Sequence, residues 1–504
     1  MVEVVWFKRD LRVTDHRPLV SAAEAGVVLP LYIVEPELWQ QADMSVRHWD
    51  FIAESLAELR ENLKRCGQPL VVRTGDVVGV LDEFRARGLI SGLWSHQETG
   101  NNWTFQRDLK VGEWCRKHNI KWHEIQNHGV SRPSRSRNGW SKRWDKHMFE
   151  EVDAPPILPP VDIDLGTIPT SSMLAITEGF CHARQGGGSL AATNLLKGFL
   201  SNRGETYRTS MSSPLSAEVA CSRLSPHISW GTISMREVNS AVKSRQFALK
   251  NSASGSVVWR QSLKSFNSRL HWHCHFIQKL EDEPQIEFKN LHSAYDGIRK
   301  VGENGDALKA WTAAETGLPF VDACMRYLRE NGWLNFRMRA MLMAVASYHL
   351  WLHWREPGLE LARLFTDYEP GIHWNQVQMQ SGTTGINAIR IYNPVKQGKD
   401  HDPTGVFIRK WVPELSVIPD VFLHEPWKAE NSSQVLGSAY PYPIVDYLDA
   451  AKAARQRMWA VRKLGSFYEQ ADKIQDRHGS RKSGVKNPSR GPTKGNKKQL
   501  TLPI

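Results

Sequence analysis

The chain has 504 residues, a formal net charge of +12, 41% hydrophobic and 23% charged residues. That balance supplies an ample core and excludes a disordered or fibrous chain, and the length predicts about two to four domains, two of them large. No apolar run is long enough to span a bilayer. The opening MVEVVWFKRDLR reads as a strand, not a signal peptide, so a cytoplasmic protein with no membrane partner is expected.

In chain order, Val2–Phe7 (VEVVWF) is a buried strand, Pro18–Ala25 a short helix and Val27–Val34 a second strand. Met44–Cys66 repeats Phe51, Ile52, Leu56, Leu59 and Leu63 at helical spacing. Pro69–Gly75, Leu89–His96 and Lys121–Gln126 read as strands, separated by helices at Val77–Arg87 and Trp103–His118. Five strands alternating with helices predict a doubly wound, parallel α/β domain over residues 1–130. Its ligand crevice belongs at the carboxyl ends of the strands. The turn FKRDLRVTDHRP lacks GxGxxG, which argues against a dinucleotide there; it offers Arg9, Asp10 and Arg12 on a polar loop.

Residues 131–189 are proline-rich and aperiodic, a connector. Helical patterning then dominates residues 190–472, at Leu190–Leu200, Leu263–Leu280, Asp306–Trp311, Pro319–Asn331, Asn335–Trp354 and Leu359–Phe365. The predicted fold class is therefore α/β plus all-α. Asp367–Gln397, rich in glycine and amides, reads as a long irregular functional loop. Residues 473–504 hold nine Lys/Arg and one acid and read as a basic disordered tail, which favours a polyanionic partner, nucleic acid first. The six cysteines form no CxxC pair, so buried reduced thiols and no metal cluster are expected. Twenty tryptophans offer an aromatic core, stacking surfaces for bases or electron-transfer steps.

Two constellations carry chemistry. Ser222-Arg223-Leu224-Ser225-Pro226-His227 joins hydroxyls, a cation and free N–H groups before a helix, which suits a phosphate and equally describes a capped helix start. Arg339 and Asp367 both fall in segments that should be buried, so an ion pair is expected.

The chain as a whole resembles the photolyase/cryptochrome flavoproteins. WFKRDLRVTDHRPL resembles the family's opening motif, and CSRLSPHISWG (Cys221–Gly231) its flavin-phosphate motif. Gly317–Met341 and Arg390–Leu415 are further close matches. The resemblance implies an antenna domain, a helical domain holding FAD, and light-dependent repair of cyclobutane pyrimidine dimers in DNA by electron transfer from reduced flavin. It implies FAD-phosphate contacts at Tyr207, Ser222, Arg223, Leu224 and Ser225, and flavin contacts at Arg339, Asp367, Glu369 and His373. DNA contacts fall on Phe336, Arg337, Arg390 and Gln397. The lesion pocket and its electron path fall on Trp272, Arg269, His273, Met379 and Trp354.

The departures are specific. Arg269 stands where the family's lesion-binding carboxylate falls, His273 where its neighbouring Arg falls, and Met379 where a Trp packs on the dimer. Arg269 either addresses the lesion or turns away to an acid. The family's Asn beside the flavin falls on His373, or on Asn375 if the loop is shifted, and His373 either titrates near neutrality or is a structural histidine. In the family's tryptophan chain for flavin photoreduction, the middle member is Trp354, but the proximal one falls on Val377 and the distal one is missing. Another route is expected, through Trp374, Trp351 or Trp333. Glu35, Glu37, Glu98, Asn101 and Trp103 either line an antenna-pigment pocket (folate, deazaflavin or lumazine type) or are ordinary loop residues. The tail end QLTLPI (Gln499–Ile504) resembles peptides that dock on bacterial DNA sliding clamps. A monomer is expected. The alternative reading is a cryptochrome-type blue-light photoreceptor without repair activity.

Overall fold

The computed structural model describes residues 1–132, 137–251 and 256–479. Five parallel strands form one sheet: β1 (Val2–Phe7), β2 (Val28–Val34), β3 (Val71–Thr74), β4 (Ile90–His96) and β5 (Lys121–Ile125). Their spatial order is β3-β2-β1-β4-β5. β1 pairs Trp6 with Leu31 on one side and Val4 with Leu93 on the other.

β1 is apolar without alternation because both faces are covered. Val5 and Phe7 point into one core with Trp49, Ile52 and Leu56 of the helix Val46–Cys66. Val4 and Trp6 point into a second core with Leu81, Phe84 and Val111 on the opposite face. The chain order reverses between β1 and β4, which opens a crevice at their carboxyl ends.

The polar loop after β1 is largely buried. Asp10 is 1% and Arg12 2% exposed. Arg12 donates to the carbonyls of Asp15 and Gly231 and to Asn127 Oδ1. Charges of this kind stay buried because every polar atom is used, and here the partners come from both domains.

In the helical domain, the 26-residue helix Val257–Asp282 is central. Two expectations fail here. Asp367–Gln397 contains the helix Pro370–Ser381 and the start of the helix Pro394–His401, each begun by proline at its first turn and by a side-chain cap, Glu369 or Asn393. The amides and glycines of the first serve close packing: Asn375 donates to the Phe276 carbonyl at 3.0 Å, and a Cβ at Gly371 would meet Ile277 Cα at 2.6 Å. Asn335–Trp354 is not one helix. The α-helix Phe336–Ala344 ends in a π-type turn, Val345–His349, and Trp351 then takes a left-handed backbone (φ 53°).

The connector holds the helix Trp140–Met148, whose Trp144 and Met148 enter the helical core. Further on, Leu158, Leu174 and Ile176 enter the core of the first domain. All six cysteines are free thiols. The last described helix, Phe467–His478, passes through residue 473; residues 480–504, including Gln499–Ile504, lie outside the described residues. No described helix is long and apolar enough to cross a membrane.

Arg47, 2% exposed, clamps the two domains. Its guanidinium donates to the carbonyls of Gly179 (2.8 Å), Leu364 (2.8 Å) and Phe180 (3.2 Å). Arg47→Met leaves these buried acceptors unpaired and is expected to cost about 3 kcal/mol. Chemical denaturation measures it, as an earlier unfolding midpoint.

Candidate functional site

Residues 366–369 lie where the two domains meet. Arg339 and Asp367 form a two-pronged ion pair, 3.0 and 2.8 Å, with the Asp367 side chain 4% exposed. Arg339 Nε also donates to the Leu334 carbonyl, and its guanidinium lies over Phe365 at 4.0 Å. Such a planar fork fixes the Asp367 carboxylate in direction as well as charge. Glu369, 6% exposed, is held by Arg9 of the β1 loop at 3.0 Å and caps the helix Pro370–Ser381. Burial raises its pKa, opposed by Arg9.

His373, one turn into that helix, is 8% exposed and 2.8 Å from the Gly358 carbonyl through Nε2. Burial pushes its pKa down to about 4, the carbonyl opposing. Burial and the Gly358 contact favour the structural one of the two readings of His373. Desolvation outweighs the Gly358 carbonyl and the Asp367 carboxylate, whose charge Arg339 opposes, so the imidazole is neutral at pH 7.

The residues around Ser222 gather cations. Burial pushes the Cys221 thiol up to about 12, opposed by the guanidiniums of Arg223, Arg203, Arg269 and Arg339. Arg339 has its carboxylate, and Arg223 reaches Glu218 at 3.8 Å while lying over Trp333. Arg203 donates to carbonyls, those of Cys221 and Leu195 among them. Arg269 does not salt-bridge an acid among the described residues; its charge acts on the nearby hydroxyl of Tyr207, whose pKa burial raises to about 12. Arg223 adopts φ 60°, and Leu224 N donates to Ser222 Oγ at the start of the short helix Ser225–Ser229. Clustered cations with too few carboxylates are a donor set suited to a diphosphate.

Arg269, Trp272 and His273 share one face of the helix Val257–Asp282, three and four residues apart. Trp272 is half-buried and stacked on Phe276 at 5.6 Å. Met379 is half-buried on the helix Pro370–Ser381. Trp354 is 1% exposed, with its ring 5.9 Å from that of Trp374. Phe336 is 51% exposed and Arg390 exposed, while Arg337 Nε and Gln397 Oε1 have no hydrogen-bond partner among the described residues.

Two cavities open at the carboxyl ends of the strands. One, of about 370 Å³, lies between the domains and is lined by Arg9, Asp10, His96, His128, His273 and Glu369, among others. Asp10 there accepts hydrogen bonds from His16 (2.9 Å) and His96 (2.7 Å). His16 Nδ1 takes the N–H of Leu19, so its Nε2 carries the proton toward Asp10. The other, of about 520 Å³, is lined by Trp6, Tyr32, Trp39, Glu35, Glu98 and Asn101, among others. Glu35 and Glu98 both pair with Arg107, and burial raises the Glu35 pKa to about 7. Glu37 is exposed, and Trp103 lies 5.8 Å from the Arg107 guanidinium. Sequence reasoning missed Asp43, His128 and Tyr368. Their polarity was visible, but no motif marked their convergence.

Asp367→Asn leaves Arg339 without its counter-charge and is expected to cost about 3 kcal/mol, measured by denaturation midpoint together with retained visible-absorbing pigment. Buried histidines also set the acid limit. His373 at about 4 takes up its proton later than in the unfolded chain at about 6.5. Its contribution to stability is thus intact above 6.5 and falls as pH drops toward 4. His373→Asn should flatten the acid side of a melting-temperature profile.

Residues 3–146 match the family described as DNA photolyase, and residues 266–460 the family described as FAD binding domain of DNA photolyase. The deoxyribodipyrimidine photo-lyase of Alkalihalophilus pseudofirmus is 26% identical, over 90% of this chain and 97% of that one. Cryptochrome-1 of Arabidopsis thaliana is 29% identical, over 91% of this chain and 70% of its own length. The crystal structure of a bacterial class III photolyase from Agrobacterium tumefaciens superposes with a TM-score of 0.79 at 24% identity, covering 92% of this chain and 98% of that one. A five-stranded parallel α/β domain, a helical FAD-binding domain and matches along both make this chain a member of the photolyase/cryptochrome family.

Proposed function

We propose that the chain is a light-dependent DNA photolyase acting on cyclobutane pyrimidine dimers. The observation that carries this reading is a set of donors suited to a phosphate backbone. Arg337 Nε has no partner among the described residues, Arg390 is exposed, and half-buried Gln397 offers its amide N–H2 as a donor. Arg337 acts electrostatically on His401, one turn beyond Gln397 on the same helix, so two of the three belong to one neighbourhood. Backbone-gripping cations position DNA without reading sequence.

Tyr207, Ser222, Arg223, Leu224 and Ser225 would hold the FAD phosphates. Arg339, Asp367, Glu369 and His373 would line the flavin. When bound, FAD supplies one electron to the dimer on illumination and recovers it after the pyrimidines part. Trp272 offers a stacking face to a flipped base. Arg269, close to the Tyr207 hydroxyl, presents a cation to a dimer carbonyl and to the charge that develops there. His273 and Met379 complete the pocket wall, and Phe336 offers an apolar surface at its rim. The Arg339–Asp367 pair keeps the pocket charge fixed without mobile water.

The photoreceptor reading is favoured by one observation: Arg269 and Met379 stand where a lesion-binding carboxylate and Trp occur in photolyases. We further propose the cleft lined by Trp6, Tyr32 and Trp39 as the place of an antenna pigment, and Gln499–Ile504 as a sliding-clamp ligand on a monomeric enzyme. Mass analysis of extracted chromophores and binding of the tail peptide to a clamp test these two.

Thymine-dimer oligonucleotides mixed with the anaerobically reduced protein should regain their ultraviolet absorbance under blue light and not in darkness. No recovery with FAD bound and reduced would overturn repair of this lesion and leave a photoreceptor or a different lesion. Arg337→Ala should weaken binding to all sequences alike and reduce the salt slope by about 1, read from titrations at several salt concentrations.

A further inference from the structure

Tyr368 lies between two residues assigned to the flavin, yet neither assignment uses its side chain. Its ring is 1% exposed. Its hydroxyl donates to Asp43 Oδ2 at 2.6 Å and accepts from Trp374 Nε1 at 3.1 Å. Asp43, 4% exposed, also accepts from the Asn101 amide at 3.0 Å. Trp374 is fully buried, and its ring lies 4.9 Å from His373 and 5.9 Å from Trp354. The Tyr368 ring is 5.2 Å from His373 on another side. Two oxidisable side chains thus touch, Trp374 and Tyr368, immediately beside the flavin-lining histidine.

A buried phenol hydroxyl on a buried carboxylate is an expensive way to fill space, since Phe would pack without desolvating two polar groups. The arrangement has a chemical use. A phenol that loses an electron becomes a strong acid, and it survives as a neutral radical where a base takes the proton at once. Asp43 is within the reach such a transfer needs. At rest, burial and the Asp43 charge hold the phenol protonated, its pKa raised well above the ordinary value.

We propose that Tyr368, with Asp43 as its proton acceptor, is the terminal electron donor for light-driven reduction of the flavin, reached through Trp374. One electron leaves Trp374 for the light-excited oxidised flavin. Tyr368 returns one electron to Trp374, and its phenolic proton moves to Asp43. The balance is one electron from Tyr368 to the flavin and one proton from Tyr368 to Asp43. A small thiolate reductant then restores Tyr368, giving up one electron to become a thiyl radical while protonated Asp43 returns the proton. This inference rests on the FAD-binding reading above and supplies the route that the missing family tryptophans leave open.

The test is flash excitation of the full chain loaded with oxidised FAD, read by time-resolved absorbance and electron paramagnetic resonance. The expected result is a neutral tyrosyl radical that forms more slowly in heavy water. Tyr368→Phe and Asp43→Asn should both lose that signal and leave an indole radical, with the visible flavin spectrum retained. Ring-deuterated tyrosine in the unmutated chain should narrow the resonance, a readout that needs no variant to fold. Indole radicals alone in the unmutated chain, or an unchanged tyrosyl signal in Tyr368→Phe, would overturn the proposal. A chain that takes up no FAD would overturn the functional reading itself, which the visible spectrum reports separately.

Discussion

Between Thr366 and Glu369 the chain is held residue by residue, and the arrangement of the two domains depends on it. The Thr366 carbonyl accepts from Trp230 Nε1, and the Asp367 carbonyl from Ser229 Oγ. The Asp367 carboxylate takes both prongs of Arg339. The Tyr368 carbonyl and the Glu369 carboxylate share Arg9, and the Tyr368 hydroxyl reaches Asp43. Arg9 and Asp43 come from the first domain; Trp230, Ser229 and Arg339 come from the second. Four residues thus carry a polar seam in which each buried charge is paired, and loosening one leaves a desolvated charge behind.

The seam also explains where function can reside. The loops after β1 and β4 end in it, so the crevice of the parallel sheet faces the helical domain and not open solvent. The same charges that join the domains, Arg9 with Glu369 and Arg339 with Asp367, border the pocket proposed for the flavin. Stability and the electrostatics of the site are therefore one set of interactions. The first domain contributes Asp43 and Arg9 to a site whose other residues lie in the second.

The elements of the first domain were legible because their signals are local. β1 through β5 and the helices between them fall within a few residues of the boundaries expected from periodicity, since apolar period and turn residues act over short spans. The segment after Asp367 was not legible. Its amides and glycines resemble a loop, but Asn375, Gly371 and Gln378 spend those features on contacts with the neighbouring helix and the segment before Leu291. The helix from Phe336 also looked continuous to Trp354, and its break near Val345–His349 is a matter of packing that propensity does not carry.

The sequence by itself determined the domain classes, the family and the Arg339–Asp367 pair, because each rests on a pattern or on the cost of burying an unpaired charge. Tertiary structure decided the rest. It turned Arg269 toward Tyr207, made His373 a neutral buried imidazole, closed Glu35 and Glu98 onto Arg107, and brought Asp43 against Tyr368. Those outcomes depend on which residues from distant parts of the chain share a desolvated space, and a one-dimensional pattern contains no such distances.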